Sequence, residues 1–239
     1  MRIARYLAAA GLGSRRACEE LVRAGAVTVN GERLDSPARN VVPGQDRVCV
    51  RGRPVVPEKP VHLALNKPPG YTCSRSDSHA GRLVHELIPA HLGRLFTVGR
   101  LDRDSEGLIL LTNDGDFAQA VAHPSGEIEK VYHVDCRGEF TAADRARLLA
   151  GVRDEGEFLR PREVRLLDQR GDRCRLEFRL GEGRKREVRR LCRAAGLRVE
   201  RLVRRAIGPL ALGSLAAGAW RELAPAEVAA LRAAARNNF

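Results

Sequence analysis

Aromatic residues and lysine are scarce in this chain, and both shortages narrow its chemistry. Aromatics make up 4% of the 239 residues, and Trp220 is the single tryptophan. With nothing else pointing to a sugar cleft, glycoside hydrolysis by a carboxylate pair such as Asp102 and Glu106 is a poor reading. Lysine occurs only at Lys59, Lys67, Lys130 and Lys185, so the formal net charge of +12 rests almost wholly on arginine. An excess of that sign calls for a polyanionic partner, most simply nucleic acid. Arginine grips phosphate bidentately and stacks on bases, which favours RNA over a membrane patch. The six cysteines include no Cys-x-x-Cys pair and no neighbouring histidine, so neither a zinc site nor a disulfide framework is expected. A signal peptide or membrane span would need a long apolar run, and there is none; the expectation is a protein of a reducing cytoplasm.

A length of 239 residues fits one large domain with a small appendage. The segment Arg53-Pro54-Val55-Val56-Pro57-Glu58-Lys59-Pro60 reads as a linker, dividing residues 1–56 from 57–239. Before it, helical spacing covers Ile3 to Ala10 and Ser14 to Ala24, with Ser14 as N-cap. Val27-Thr28-Val29, Asn30-Gly31 and Glu32-Arg33-Leu34 spell a hairpin with a type I′ turn, and Val48-Cys49-Val50 adds a strand. After the linker, strands are expected at Val61 to Leu65, Leu95 to Val98, Leu108 to Leu111 and Lys130 to Cys136. Helices are expected at 116–122, 141–150, 184–195 and 225–235. This order implies an α+β fold on a mixed, mainly antiparallel sheet, with a small α/β domain before it.

The stretch Gly99-Arg100-Leu101-Asp102-Arg103-Asp104-Ser105-Glu106-Gly107 sets acids among arginines just ahead of a buried run. An acid at a sheet rim is a plausible catalyst, although such aspartates more often cap a helix or bond their own backbone, a role that suits Asp104 better than Asp102. This loop resembles the catalytic loop of a pseudouridine synthase. Three further segments match the same family in order: Leu65-Asn66-Lys67-Pro68-Pro69-Gly70; His123-Pro124 leading to Glu129-Lys130-Val131-Tyr132; and Glu182-Gly183-Arg184-Lys185-Arg186-Glu187-Val188-Arg189-Arg190-Leu191. Together they resemble the RsuA/RluB group of bacterial rRNA pseudouridine synthases, closest to RluB. Residues 2–56 resemble the small RNA-binding domain named after ribosomal protein S-four. The resemblance fades in residues 140–172 and at the C-terminus.

Conversion of uridine to pseudouridine breaks the bond from ribose C1′ to uracil N1, turns the base and rejoins it through C5. It requires an ionised carboxylate near the sugar, acting as nucleophile or as a base, and no redox change, cofactor or metal. The resemblance assigns that carboxylate to Asp102. Desolvation around an extruded base would favour the neutral acid, so a cation is needed, and Arg189 is the candidate by its place in the motif. From spacing alone, Arg189 reads first as part of a basic helix that only grips phosphate; the resemblance reverses that preference. Tyr132 alternates with Val134 and Cys136 and reads as a core tyrosine; the resemblance has its ring stack on the extruded uracil. Leu202 is a candidate for closing the pocket, though from sequence alone an ordinary buried strand leucine is the preferred reading.

Arg100 is a candidate for filling the gap left in the RNA or holding a flanking phosphate. Arg5, Arg15 and Arg16 offer phosphate contacts beside a helix N-terminus. Between residues 184 and 205 the chain carries Arg184, Lys185, Arg186, Arg190 and Arg204 among ten basic residues, against only Glu187 and Glu200, which marks the main expected RNA track. Two departures from the family pattern bear on RNA contacts: Lys185 stands where asparagine is common, and Ala206 where a second arginine often follows. The expected function is isomerisation of specific uridines in ribosomal RNA, large-subunit rRNA preferred, by a monomer. The alternatives are the same reaction on small-subunit rRNA, or a non-catalytic rRNA-binding assembly factor in which Asp102 is a turn residue.

Overall fold

The computed structural model describes residues 1–74, 81–123 and 126–236. It resolves into two compact units. The first joins Met1–Val61 with His91–Leu95 and Asn113–Gly115, and the second takes the rest. The first unit begins with helices α1 (Ile3–Ala9) and α2 (Arg15–Arg23). The Ser14 hydroxyl accepts from the Ala17 amide at 3.1 Å and so caps α2. Strands β1 (Val27–Val29), β2 (Glu32–Arg33), β3 (Val48–Val50) and β4 (Arg53–Pro54) form an antiparallel sheet in the order β2-β1-β3-β4. Asn30 and Gly31 both adopt positive φ, 52° and 87°, as a type I′ hairpin turn demands. Ile3, Tyr6, Leu7, Cys18, Val22, Val27 and Val29 make its core.

The proline-rich segment is not the free linker that its composition suggests. Arg53–Pro54 pairs with β3, the Val55 amide donates to the Val48 carbonyl at 3.0 Å, and the Glu58 amide donates to the Ala9 carbonyl at 2.9 Å. Proline is tolerated there because β4 is an edge strand.

The second unit carries β5 (His62–Lys67), β6 (Phe96–Val98), β7 (Glu106–Thr112), α3 (Gly115–Ala122, beginning at the boundary), β8 (Lys130–Arg137) and α4 (Ala142–Ala150). There follow β9 (Val152–Asp154), β10 (Glu157–Leu159), β11 (Glu163–Arg170), β12 (Arg173–Leu180), α5 (Glu187–Ala194), β13 (Arg198–Ile207), β14 (Leu210–Ala211), β15 (Trp220–Glu222) and α6 (Pro225–Arg236). The main sheet has nine strands in the order β11-β12-β8-β13-β7-β5-β15, with β14 on β13 and β6 on β7. All its pairings are antiparallel except β7 with β13.

That parallel pairing depends on a glycine. At Gly107, with φ at 102°, an added Cβ would lie 2.3 Å from the Arg204 carbonyl oxygen, so no side chain fits. Leu108, Ile109, Leu110 and Leu111 are buried on both faces of β7, as expected of a central strand. Leu108 and Leu110 pack with Phe117, Val121, Ile207 and Leu231, which brings α3 and α6 onto one face. Helix α5 begins at Glu187, three residues later than expected, because Arg186 takes a left-handed conformation with φ at 52°. Among the described residues no helix is long and apolar enough to cross a membrane.

Candidate active site

The loop from Gly99 to Ser105 joins β6 to β7 and is fastened from beneath by Lys67, the last residue of β5. Lys67 is wholly buried. Its ammonium donates to the carbonyls of Ser105 at 2.6 Å, Pro68 at 3.0 Å and Arg103 at 3.2 Å, and burial pushes its pKa down. The Gly70 amide adds a 2.7 Å bond to the Arg103 carbonyl, and the Leu101 amide donates to the Cys73 sulfur at 3.4 Å. Asp102 therefore projects from a loop tied on both sides. The sequence contained this lysine in a matching motif, but no spacing disclosed its task.

Asp102 lines a cavity of about 660 Å³ together with Arg100, Tyr132 and Leu202, a volume within the usual range for ligand sites. Tyr132 and Leu202 are 8% and 5% exposed, on adjacent strands β8 and β13, whose register sets Leu202 opposite Val134 and Arg204 opposite Tyr132. Paired residues of an antiparallel ladder share a face, which explains why side chains remote in sequence meet here. His123 is described, but its motif partner Pro124 lies outside the described residues.

The expected countercharge is elsewhere. Arg189 pairs with Asp104, Nη2 to Oδ2 at 3.0 Å, and also donates to the Asp104 carbonyl at 3.2 Å. The cation recorded beside Asp102 is Arg186, whose Nη1 is 3.9 Å from Asp102 Oδ2 and 3.5 Å from an Asp104 carboxylate oxygen. Two acids two residues apart face two arginines three apart, and spacing alone could not decide which acid meets which. Asp104, read as a turn residue, is the acid that holds both.

Two residues expected on an RNA surface are interior. Arg190 is 5% exposed and clamps the β9–β10 hairpin through Asp154 and Glu157. These bonds, Glu157 foremost, raise the pKa of Arg190, while Arg190 holds both carboxyls below their usual range. Arg190 lies on the buried side of α5 with Glu187 and Leu191, so it cannot serve a phosphate track. Arg204 is 4% exposed and its Nε donates to the Leu108 carbonyl at 2.7 Å, because its strand is central and its side chain shares the face of Tyr132. It lines the cavity with Arg184, Lys185 and Arg186.

The rest of the basic track is partly neutralised by acids, one of them close in sequence and the others remote. Arg184 pairs with Glu182, Arg193 with Asp154 and Glu155, and Arg201 with Glu106. In the first unit, Arg15 and Arg16 are exposed and Arg5 is half-buried. The thiols of Cys136 and Cys192 lie 3.9 Å apart in the core, and all six cysteines are free. No cluster of three metal-ligating side chains occurs among the described residues.

Comparison with known proteins agrees with this architecture. Residues 61–194 match the RNA pseudouridylate synthase family and residues 1–60 match the S4 domain. The chain is 41% identical to an RNA pseudouridine synthase of Aquifex aeolicus (strain VF5), over 97% of its own length and 93% of the relative's. It is 37% identical to the ribosomal large subunit pseudouridine synthase B of Bacillus subtilis (strain 168), over 98% and 96% of the two lengths. A solved pseudouridylate synthase superposes with a TM-score of 0.69 at 29% identity, covering 97% of this chain and 99% of that one. With more than half the chain matched and relatives aligned from end to end, the protein belongs to the RNA pseudouridylate synthase family of isomerases, with an S4 domain ahead of the catalytic one.

Proposed function

We propose that the protein isomerises one or a few uridines of large-subunit ribosomal RNA to pseudouridine, with Asp102 as the reacting carboxylate. The observation that carries this reading is Asp102 lining one cavity with Tyr132 and Leu202. A carboxylate and an aromatic ring lining one cavity match a reaction that attacks a sugar while holding a flat base. The similarity to the large-subunit enzyme of Bacillus subtilis supports the choice of RNA, and the S4 domain at residues 1–60 supplies a second RNA-binding unit.

In this reading a uridine leaves its stack and enters the cavity, at a cost of a few kcal/mol that the arginines facing the RNA offset. The Tyr132 ring stacks on uracil, and Leu202 excludes water. Arg186, balanced between Asp102 and Asp104, keeps positive charge beside the reacting carboxylate. Asp102 then attacks C1′, or removes a proton from the sugar to form a glycal, and the C1′–N1 bond breaks. The base turns and C5 bonds to C1′, as the Asp102–C1′ bond breaks or, on the glycal route, as Asp102 returns the proton to the sugar; the C5 proton then leaves and N1 gains one. Atoms and charge balance without an outside reagent.

The test is release of tritium from rRNA labelled at uracil C5, comparing the native protein with Asp102→Asn on large- and small-subunit transcripts. Release from large-subunit rRNA by the native protein, lost in Asp102→Asn while RNA binding persists, is the expected result. Release from the small-subunit transcript alone would overturn the substrate, and an active Asp102→Asn protein would overturn the residue.

A further inference from the structure

Two cations in the cavity have no part in the steps above. Lys130 is two residues before Tyr132 on β8, so both side chains leave the same face of the strand. Arg204, opposite Tyr132 on β13, shares that face. All three line the cavity. The Arg204 side chain is held by the Leu108 carbonyl through Nε, while its Nη2 is buried without a hydrogen-bond partner among the described residues. A buried donor left unmade in a central strand is costly unless something occupies it during function.

Resting on the reading that this cavity takes the extruded uridine, we infer that Lys130 and Arg204 form the site that receives the negative charge of the departing uracil. When C1′–N1 breaks, the electron pair stays on the base and spreads over N1 and the carbonyl oxygens O2 and O4. This holds whether Asp102 acts as nucleophile or as base. An ammonium and a guanidinium N–H donate to those oxygens and stabilise the anion more than the neutral ground-state base. That difference is what lowers a barrier. As C5 bonds to C1′ and loses its proton and N1 gains one, the base returns to neutral and the grip weakens. Between the steps the same cations retain the detached base while it turns.

The surroundings favour this role. Arg204 is fixed before substrate arrives, so no reorganisation accompanies the reaction. Glu187, which also lines the cavity, accepts from the Arg184 amide at 3.0 Å, and its burial raises its pKa, which weakens its competition for the two cations. Burial with Arg204 and Arg162 nearby draws the Lys130 pKa from the usual 10.5 down to about 8, which leaves it mostly ammonium at neutral pH.

The experiment measures single-turnover tritium release from C5-labelled rRNA by the native protein and by Lys130→Met, Lys130→Ala and Lys130→Arg, beside RNA affinity and thermal melting of each. Lys130→Met should fold, bind RNA within about threefold of native and react roughly 10²–10³-fold more slowly, the loss typical of one oxyanion donor. Lys130→Arg should keep most of the rate. Added ethylammonium should accelerate Lys130→Ala, and ethanol should not. Turnover by Lys130→Met within threefold of native would overturn the inference, and so would a slow Lys130→Ala that ethylammonium leaves unchanged. Absence of release by the native protein would instead overturn the reading of the cavity itself.

Discussion

A single buried lysine underpins the loop that carries Asp102. Lys67 offers three N–H donors to three carbonyls, two of them flanking Asp104 and one next to its own chain position. Methionine matches its length but leaves those acceptors without a donor in a closed space. Lys67→Met should therefore lose about 3 kcal/mol in urea unfolding, at the upper end for an unmade buried hydrogen bond. Its turnover should fall further than its RNA affinity, because the loop moves while the exposed arginines do not. Equal stability to native would refute the anchoring role.

Lys130 should behave in the opposite way. Its folded pKa of about 8 is below the unfolded 10.5, so between those values the native state holds fewer protons and stability from this group rises with pH. Below pH 8 the folded state carries a charge it disfavours, by about 3 kcal/mol at one pKa unit per 1.36 kcal/mol. Lys130→Met should thus melt higher than native at pH 7, with the gap closing as pH approaches 10.5. A gap independent of pH would show that packing alone accounts for the difference. At this scale the sequence made Asp102, Tyr132 and Leu202 legible as candidates, because family motifs name residue types at set spacings. It did not reveal the Arg189–Asp104 pair or the burial of Arg190 and Arg204, which depend on the rotation of a helix and the depth of a strand.

Among elements, β7, β8 and the helices α3 to α6 could be read from apolar runs and helical period. The hairpin β9–β10 and the edge strand β11 could not. Strand β11 leaves Leu166 and Leu167 exposed and alternates poorly, so a period-two signal is missing. The hairpin is short, has Leu159 as its one fully buried apolar residue, and is clamped by the ion pairs of Arg190 with Asp154 and Glu157, so no apolar period marks it in the sequence. The parallel junction of β7 and β13 was also invisible, yet it sets Arg204 beside the cavity and hangs on one residue. Gly107→Ala should cost 3 kcal/mol or more, roughly, because the new methyl overlaps the Arg204 backbone and φ at 102° strains any L-residue. Gly171→Ala is the control: φ is also positive, at 57°, but nothing lies within 4 Å, so only the backbone term of about 1 kcal/mol remains. Melting curves of the two variants separate close approach from backbone strain, and equal losses would mean that the strand junction tolerates a side chain.

For the whole molecule, a net charge of +12 foretold a polyanionic partner but not which arginines face it. Folding assigns many of them to acids of the same chain. Arg193 meets Asp154 and Glu155, and Arg201 meets Glu106, whereas Arg15 and Arg16 are exposed in the first unit with no ion pair recorded among the described residues. Charge on the page is thus unequal to charge available for phosphate. Each phosphate contact made on single-stranded RNA releases counterions and adds about −0.7 to the slope of log affinity against log salt. Replacing both Arg15 and Arg16 by glutamine should weaken rRNA binding and flatten that slope by roughly 1.4 if each holds one phosphate. Replacing Arg193 and Arg201 by glutamine removes the same formal charge but takes their partner away from Glu155 and Glu106 and leaves Asp154 to Arg190 alone, so the slope should change by less. Binding titrations across a salt series, read by fluorescence anisotropy, distinguish the two pairs. Equal flattening would mean that net charge alone governs the encounter, and that the internal ion pairs open when RNA arrives.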